Sequence, residues 1–259
     1  MQVEFVGQSA RDADFTASNT SRLVNCYREP VVAGGRSTYA IKSVPGLAPF
    51  SALPGVFVRD MATVDGKLFA VSGAALYEIR TTGGFTALGS IDDDDGTTMA
   101  GNNGDVAIVA NQKYYRWDGS TLTQPTAGAF SAFGAVDYVG NYTVLSEHNG
   151  RQFQWSDLAD ASSLPALNFS TADGRDDKLV RPFGLNGLLY LFKEESFEIW
   201  YLTGQAGANA FSRQAGGVTD VGLKGKRLIC RIPGSALFVG SDNKAHIIAG
   251  GVQPVSTPP

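Results

Sequence analysis

The chain has 259 residues, a formal net charge of −4 and a charged fraction of 18%, which argues against a nucleic-acid binder that works through bulk positive charge. It contains no apolar run of the roughly 18 residues that a membrane-spanning helix requires, so no membrane partner is expected. The two cysteines are too few for a disulfide scaffold, and the 31 glycines indicate either flexible linkers or many tight turns.

Residues 1–50 lack the repeated pattern of the rest of the chain, and we expect them to form an N-terminal arm. They contain one candidate strand at residues 37–42, followed by a turn with the sequence VPGL at residues 44–47.

From residue 51 onwards, two-residue turns recur between short apolar runs. These turns are Asp65-Gly66, Asn103-Gly104, Gly140-Asn141, Asn186-Gly187 and Pro233-Gly234.

The chemistry and spacing of these turns predict the fold. The first four suit type I′ hairpins, in which both central residues have positive φ, whereas Pro-Gly favours a type II turn. Their first positions are 38, 37, 46 and 47 residues apart, a recurrence typical of propeller blades. After each hairpin come a third alternating run and a polar fourth run, as in a four-stranded blade whose outer strand meets water.

We therefore predict an all-β fold, a β-propeller with about five to six four-stranded antiparallel blades in residues 51–259. Five repeats are visible in the sequence, at about 55–92, 97–126, 133–172, 178–216 and 226–257. Residues 38–42 are expected to pair with the last blade and close the ring, which would remove an exposed sheet edge. Residues 156–164, the best helix candidate, are interpreted as a loop insertion in the third repeat.

The most conspicuous charge cluster is the acidic run Asp92, Asp93, Asp94 and Asp95. It lacks the alternating ligand spacing and terminal glutamate of a calcium loop. A solvated loop between two blades is the favoured interpretation. A second hypothesis is that the run faces a channel or an interface, where negative charge would prevent DNA from adhering.

Three tryptophans, Trp117, Trp155 and Trp200, occupy equivalent positions in the third strand of three repeats. They could form stacking platforms for sugar or single-stranded nucleic acid. Packing between blades is the favoured interpretation, because the same strand position faces the neighbouring sheet in every repeat.

No pattern of catalytic or metal-binding residues emerges. His148 and His246 are far apart and outside any metal-ligand spacing, so neither a metal nor another cofactor is expected. Sialidases are also propellers, but WDGST at residues 117–121 matches their repeated box only in part, and Glu194, Glu195 and Glu198 have no evident carboxylate partner. We expect a protein that is not an enzyme.

The basic group Lys224, Lys226 and Arg227 is interpreted as solvated, with contact to phosphates or to an acidic subunit left open.

Several segments, taken in order, resemble one known family. They are NCYREP at 25–30, VPGL at 44–47, QWSDL at 154–158, DGRDD at 173–177, FEIWYLTG at 197–204 and GGVQPVST at 250–257. In these segments the chain is similar to the packaged-DNA stabilisation and tail accessory (tail hub) proteins of P22-like short-tailed phages. Chains of that family are longer, so we expect a shortened member, a fragment or a relative that lacks the C-terminal part.

The resemblance implies a structural component of the virion, assembled in the host bacterial cytoplasm. It implies a homo-oligomeric ring, commonly a hexamer, that attaches below the portal and head-to-tail adaptor proteins. Such a ring stabilises packaged DNA, forms part of the ejection channel for DNA of any sequence, and contacts tailspike or tail plug (needle) proteins. The alternatives are a receptor- or glycan-binding propeller at a phage tail tip and, less favoured, a propeller glycosidase.

Overall fold

The computed structural model describes residues 25–30, 39–55, 57–94, 96–126 and 128–256. By its internal contacts the chain divides into two compact units, Met1–Phe50 and Ser51–Pro259. In the first unit, strand β1 (Cys26–Pro30) pairs antiparallel with strand β2 (Tyr39–Ser43) in a two-stranded sheet.

The strand expected at residues 38–42 is present as β2, and its pairing with the last blade stays a prediction. β2 pairs along its whole length with β1, from Cys26 opposite Ser43 to Pro30 opposite Tyr39, and residue 38 lies outside the described residues. β1 is a partner close in sequence, and closing a short loop costs little conformational entropy.

The second unit is a β-propeller with five blades, each a four-stranded antiparallel sheet of consecutive strands, which confirms the predicted fold class. Blade 1 consists of β3 (Val58–Val64), β4 (Lys67–Ser72), β5 (Ala75–Ile79) and β6 (Phe85–Ser90). Blade 2 consists of β7 (Thr98–Asn102), β8 (Asp105–Ala110), β9 (Lys113–Trp117) and β10 (Leu122–Thr123). Blade 3 consists of β11 (Phe133–Val139), β12 (Tyr142–Glu147), β13 (Gln152–Trp155) and β14 (Phe169–Thr171).

The last two blades follow the same order. Blade 4 consists of β15 (Leu179–Leu185), β16 (Leu188–Lys193), β17 (Phe197–Leu202) and β18 (Phe211–Thr219), with a 3-10 turn at Gly207–Asn209 before β18. Blade 5 consists of β19 (Ile229–Ile232), β20 (Ser235–Val239), β21 (Ala245–Ile248) and β22 (Val252–Pro254). No helix in the described part of the chain is long and apolar enough to cross a membrane.

The hairpin turns adopt the backbone conformations that their sequences predict. In the turn between β3 and β4, Asp65 and Gly66 have φ of 48° and 76°, and the three other predicted type I′ turns likewise have two positive φ angles. In the turn between β19 and β20 only Gly234 has a positive φ, of 69°, which fits a type II turn. Residues 156–164 form turns with an isolated bridge between Asp157 and Asp160, so the loop interpretation of this insertion is confirmed.

The hydrophobic core lies between the blades and is divided into four clusters. The clusters join blade 1 to 2, 2 to 3, 3 to 4 and 4 to 5. Among the described residues, no such cluster joins blade 5 to blade 1, a boundary that we call the closing junction. Burial of apolar surface therefore holds the other four boundaries together, and the closing junction requires different contacts.

Candidate functional site

The first strands of all five blades, β3, β7, β11, β15 and β19, surround a cavity of about 600 Å³ on the propeller axis. Five aspartate and arginine side chains line its wall. These are Asp60, Asp137, Arg181, Arg227 and Arg231. Their partners fall into two groups, one near the beginning of the inner strands and one further along.

Side chains near the beginning of the inner strands connect blade 1 to 2, 2 to 3, 4 to 5 and 5 to 1. Asp60 of blade 1 accepts a 2.8 Å hydrogen bond from the backbone N–H of Met99 in blade 2. Thr98 of blade 2 accepts a 2.9 Å bond from the backbone N–H of Val136 in blade 3. The first strand of each blade has no neighbouring strand on its inner edge, so such contacts satisfy backbone N–H groups that have no partner within their own sheet.

The same pattern continues around the ring with donors in place of acceptors. Arg181 of blade 4 donates from Nη1 to the carbonyl oxygen of Lys226 in the segment entering blade 5, at 2.9 Å. Arg227 donates from Nη1 to the carbonyl oxygen of Arg59 in blade 1, also at 2.9 Å. This last bond crosses the closing junction, where the described residues form no apolar cluster.

Further along the strands, Asp137 and Arg231 connect blades 3, 4 and 5. Asp137 is buried, and its Oδ2 accepts hydrogen bonds from the backbone N–H of Gly184 at 3.1 Å and from Nη2 of Arg231 at 2.6 Å. The Arg231 guanidinium also lies 4.4 Å from the ring centre of Phe183, in a cation–π arrangement. Asp137 and Arg231 thus neutralise each other, and their contacts brace three blades.

Asp60 differs from Asp137 because it has no arginine at hydrogen-bonding distance among the described residues. Its two oxygens accept the backbone N–H groups of Met61 and Met99, each at 2.8 Å. Burial raises the pKa of Asp60 above the usual range, although these hydrogen bonds and the nearby charges of Arg181 and Arg227 oppose the rise. Asp60 therefore takes up a proton more readily than an ordinary aspartate.

The acidic run is organised around one buried cation, Arg59, whose side chain is 0% exposed. Arg59 donates to the carbonyl oxygen and to Oδ1 of Asp94, at 2.8 and 3.0 Å, and to the carbonyl oxygen of Asp92, at 2.9 Å. Asp92 also pairs with Lys113 at 2.6 Å, while Asp93 is largely exposed. Asp95 lies outside the described residues.

This geometry gives the acidic run a structural role between blades 1 and 2. The cavity lining includes none of Asp92, Asp93 and Asp94, so the described part of the run does not face the cavity on the propeller axis. A channel between subunits stays a hypothesis for these residues. Among the described residues, no group of three or more His, Cys, Asp and Glu side chains is placed to hold a metal ion.

The three repeated tryptophans are all buried between blades. Trp117 belongs to the cluster of blades 1 and 2, and Trp155 and Trp200 belong to that of blades 3 and 4. The ring of Trp200 meets Phe153 edge-on, with centroids 4.9 Å apart, and Trp155 donates from Nε1 to the carbonyl oxygen of Gly207 at 3.0 Å. In these positions the indole rings present no free face on which a sugar or a base could stack.

In the basic group at the entrance to blade 5, Lys224 and Arg227 are exposed, as the solvated interpretation expects. Lys226 is only partly exposed, and burial lowers the pKa of its ammonium group. Arg227 lines the cavity and bonds to blade 1. No local pattern distinguishes these residues in the sequence, because the partner of Arg227 lies 168 positions away.

The glutamates considered for catalysis and the histidines considered as metal ligands do not form a common site among the described residues. Glu198 is fully buried, with Oε1 3.6 Å from Nζ of Lys193, and Glu194 and Glu195 are exposed. His246 is buried, stacks on Phe238 and lies 2.9 Å from Asp242 through Nε2. These contacts are structural, and they bring neither histidine together with a second candidate ligand or nucleophile among the described residues.

The fold and the braced cavity define the chain as a five-bladed β-propeller with a polar axis. Comparison with known families goes further: residues 1–257 match the family described as bacteriophage P22 Gp10, beta-propeller. The chain belongs to this family, and it is accordingly a phage structural propeller protein of the virion. No curated protein matches the chain significantly.

Solved structures support the fold alone. The extracellular domain of the hybrid two-component system BT4673 from B. thetaiotaomicron matches with a TM-score of 0.54 and 11% identity, over 78% of this chain and 27% of that one. YCF48 bound to D1 peptide matches with a TM-score of 0.51 and 14% identity, over 78% of this chain and 65% of that one. The chain thus spans about a quarter and about two thirds of these two proteins.

Proposed function

We propose that this chain is a tail hub protein, which assembles into a ring below the portal and head-to-tail adaptor proteins of a short-tailed phage. The ring, a hexamer by analogy with the family, stabilises packaged DNA and forms part of the ejection channel. It also offers attachment sites for tailspike or tail plug proteins. The observation that carries the proposal is the family match over residues 1–257, which includes the arm as well as the propeller.

The cavity on the propeller axis bears on where DNA would pass. Its volume of about 600 Å³ falls in the range of small-molecule pockets, about 300–1,000 Å³, and arginine and aspartate side chains project into it. A double helix does not fit through such a space. The channel of the proposed assembly therefore lies between subunits, and the formal net charge of −4 disfavours lasting adhesion of DNA to its wall.

Exposed apolar side chains on both sides of the closing junction are candidates for contacts between subunits. Phe57 and Val58 of blade 1 and Leu228 at the entrance to blade 5 are all exposed. By contrast, the described inner strands of blades 3 and 4, β11 and β15, are almost entirely buried. Apolar groups that the isolated chain leaves in water favour association with another surface.

The test is a mass measurement in solution, first on the isolated chain and then with purified portal–adaptor particles. We expect a ring of defined subunit number, alone or on the particle, and we expect Leu228→Glu to prevent it. Leu167→Glu is the matched control, because Leu167 is an equally apolar exposed residue on blade 3. A chain that stays monomeric at all concentrations and does not bind the particles contradicts the proposal.

A glycan- or receptor-binding propeller is the second candidate, and the ligand-sized cavity is the observation that favours it. A monomer that binds saturably on a glycan array would support it in place of the hub. Hydrolysis of a bound glycan that disappears when one carboxylate is changed would instead support a glycosidase.

A further inference from the structure

The guanidinium of Arg181 is the least satisfied charged group in the propeller cavity. The residue is 8% exposed and lines the cavity, and Nη1 donates to the carbonyl oxygen of Lys226. Its Nε is buried and has no hydrogen-bond partner among the described residues, and no described carboxylate lies at ion-pairing distance from this side chain. Because a buried cation without a counter-ion is costly, such a group indicates a binding partner from solution.

The acidic groups of the cavity do not supply that partner. Both oxygens of Asp60 accept backbone N–H groups, and Asp137 is neutralised by Arg231. The guanidinium of Arg181 thus faces the cavity without a described carboxylate at ion-pairing distance, and Arg227 lines the same cavity. The field of these side chains attracts an anion.

We propose that the cavity of the propeller axis binds a small oxyanion of the phosphate class, with Arg181 as its principal ligand and Arg227 as a second source of positive charge. The planar fork of a guanidinium donates two parallel hydrogen bonds to an oxyanion, which an ammonium group cannot do. A volume of about 600 Å³ accommodates a phosphate together with the waters that complete its hydrogen bonds.

The bound anion would strengthen the weakest boundary of the ring. Arg181 connects blade 4 to blade 5, and Arg227 connects blade 5 to blade 1. An oxyanion between these two side chains joins both connections in one network. This role does not depend on the proposed assembly, because every contact lies within one chain.

The experiment titrates the isolated full chain with inorganic phosphate, by calorimetry and by thermal unfolding, against sodium chloride at matched ionic strength. We expect saturable binding of phosphate, a similar response to sulfate, and a response to chloride and acetate that is weaker at every concentration. Arg181→Met should weaken phosphate binding by about 30-fold or more, as expected for removing one partner of a buried charge pair.

Arg80→Met is the matched control, because Arg80 is exposed. Among the described residues, its guanidinium donates one hydrogen bond, to the hydroxyl of Thr86. It should keep the wild-type affinity. If Arg181→Met fails to fold, Arg227→Met replaces it, with weaker phosphate binding as the expected result. The proposal is overturned if the wild-type chain shows no saturable phosphate binding, if chloride acts equally, or if the cavity variant binds like the control.

Discussion

Nη1 of Arg227 lies 2.9 Å from the carbonyl oxygen of Arg59, a residue 168 positions earlier in the chain. This bond joins the last blade to the first across a boundary where the described residues form no apolar cluster. In the described part of the propeller, each blade takes its four strands from one continuous segment, so no strand is shared between the first and last blades. Side-chain contacts therefore join these two blades and close the ring.

Removing the Arg227 side chain should therefore weaken the closing junction selectively. We expect Arg227→Met to lower the free energy of unfolding by about 1–3 kcal/mol, the usual range for a hydrogen bond to a charged group. Amide exchange should accelerate in β3 more than in β11. Urea unfolding and hydrogen-exchange mass spectrometry, both without phosphate, measure the two effects.

Arg151→Met serves as the control, because Arg151 is an exposed residue whose ion pair with Asp176 is also exposed. It should leave both quantities nearly unchanged. Uniform acceleration of exchange in all five blades of the Arg227 variant would show that the bond has no special part in closure.

The buried face of β17 gives a second prediction. Trp200 is 6% exposed and packs against Phe153, so Trp200→Ala should lower the free energy of unfolding by about 3–5 kcal/mol. Its neighbour Tyr201 is 42% exposed, and Tyr201→Ala should cost much less. The melting temperatures of the two variants test this prediction. An unchanged melting temperature for Trp200→Ala would refute packing as the role of this tryptophan.

The acidic run provides a third prediction, with two adjacent aspartates as test and control. Asp94→Asn should destabilise the protein by about 2 kcal/mol or more, because it removes the negative charge bonded to the buried Arg59. Asp93 is 67% exposed and lies 3.6 Å from Nε of Arg59, so Asp93→Asn should have little effect. Chemical denaturation compares them, and equal losses would contradict the assigned role of Asp94.

A fourth prediction concerns acid. The backbone N–H groups of Thr121 and Ser120 and the hydroxyl of Ser120 donate to Asp118 and lower its pKa from 3.8 to about 2. The unfolded chain therefore binds the proton more readily, so this loop contributes stability above about pH 4 and loses it as the pH falls towards 2.

Carboxyl chemical shifts in an NMR titration would report this pKa directly. Ser120→Ala removes one donor and should move the pKa of Asp118 upward. A wild-type value near 3.8 would mean that these hydrogen bonds do not form in solution.

The blades could be predicted from the sequence because each hairpin is specified by residues that are adjacent in the chain. Asn186-Gly187, for example, carries two adjacent residues suited to positive φ, and apolar runs on either side fix the register of the hairpin. The pairing of β2 with β1 was not predicted, since the sequence of a strand does not indicate the edge with which it pairs.

The cavity residues were not predicted, because their partners lie in other blades and far away in the sequence. Arg181 sits in an otherwise buried strand and Asp60 beside a turn-rich segment, and neither position matches a motif. Only the arrangement of the five inner strands places them around one space. An unpaired charged residue inside an apolar strand, as at Arg181, is the one sequence signal that could have drawn attention to the axis.

Every described blade is built from consecutive strands, so the pairing of strands within one blade does not wait for the rest of the propeller. Each blade can form as it leaves the ribosome and dock on the one before it. The bond from Arg227 to Arg59 can form only after the entrance to the fifth blade has been synthesised. We therefore expect closure of the ring to be the last event of folding and the first to reverse when the protein is heated.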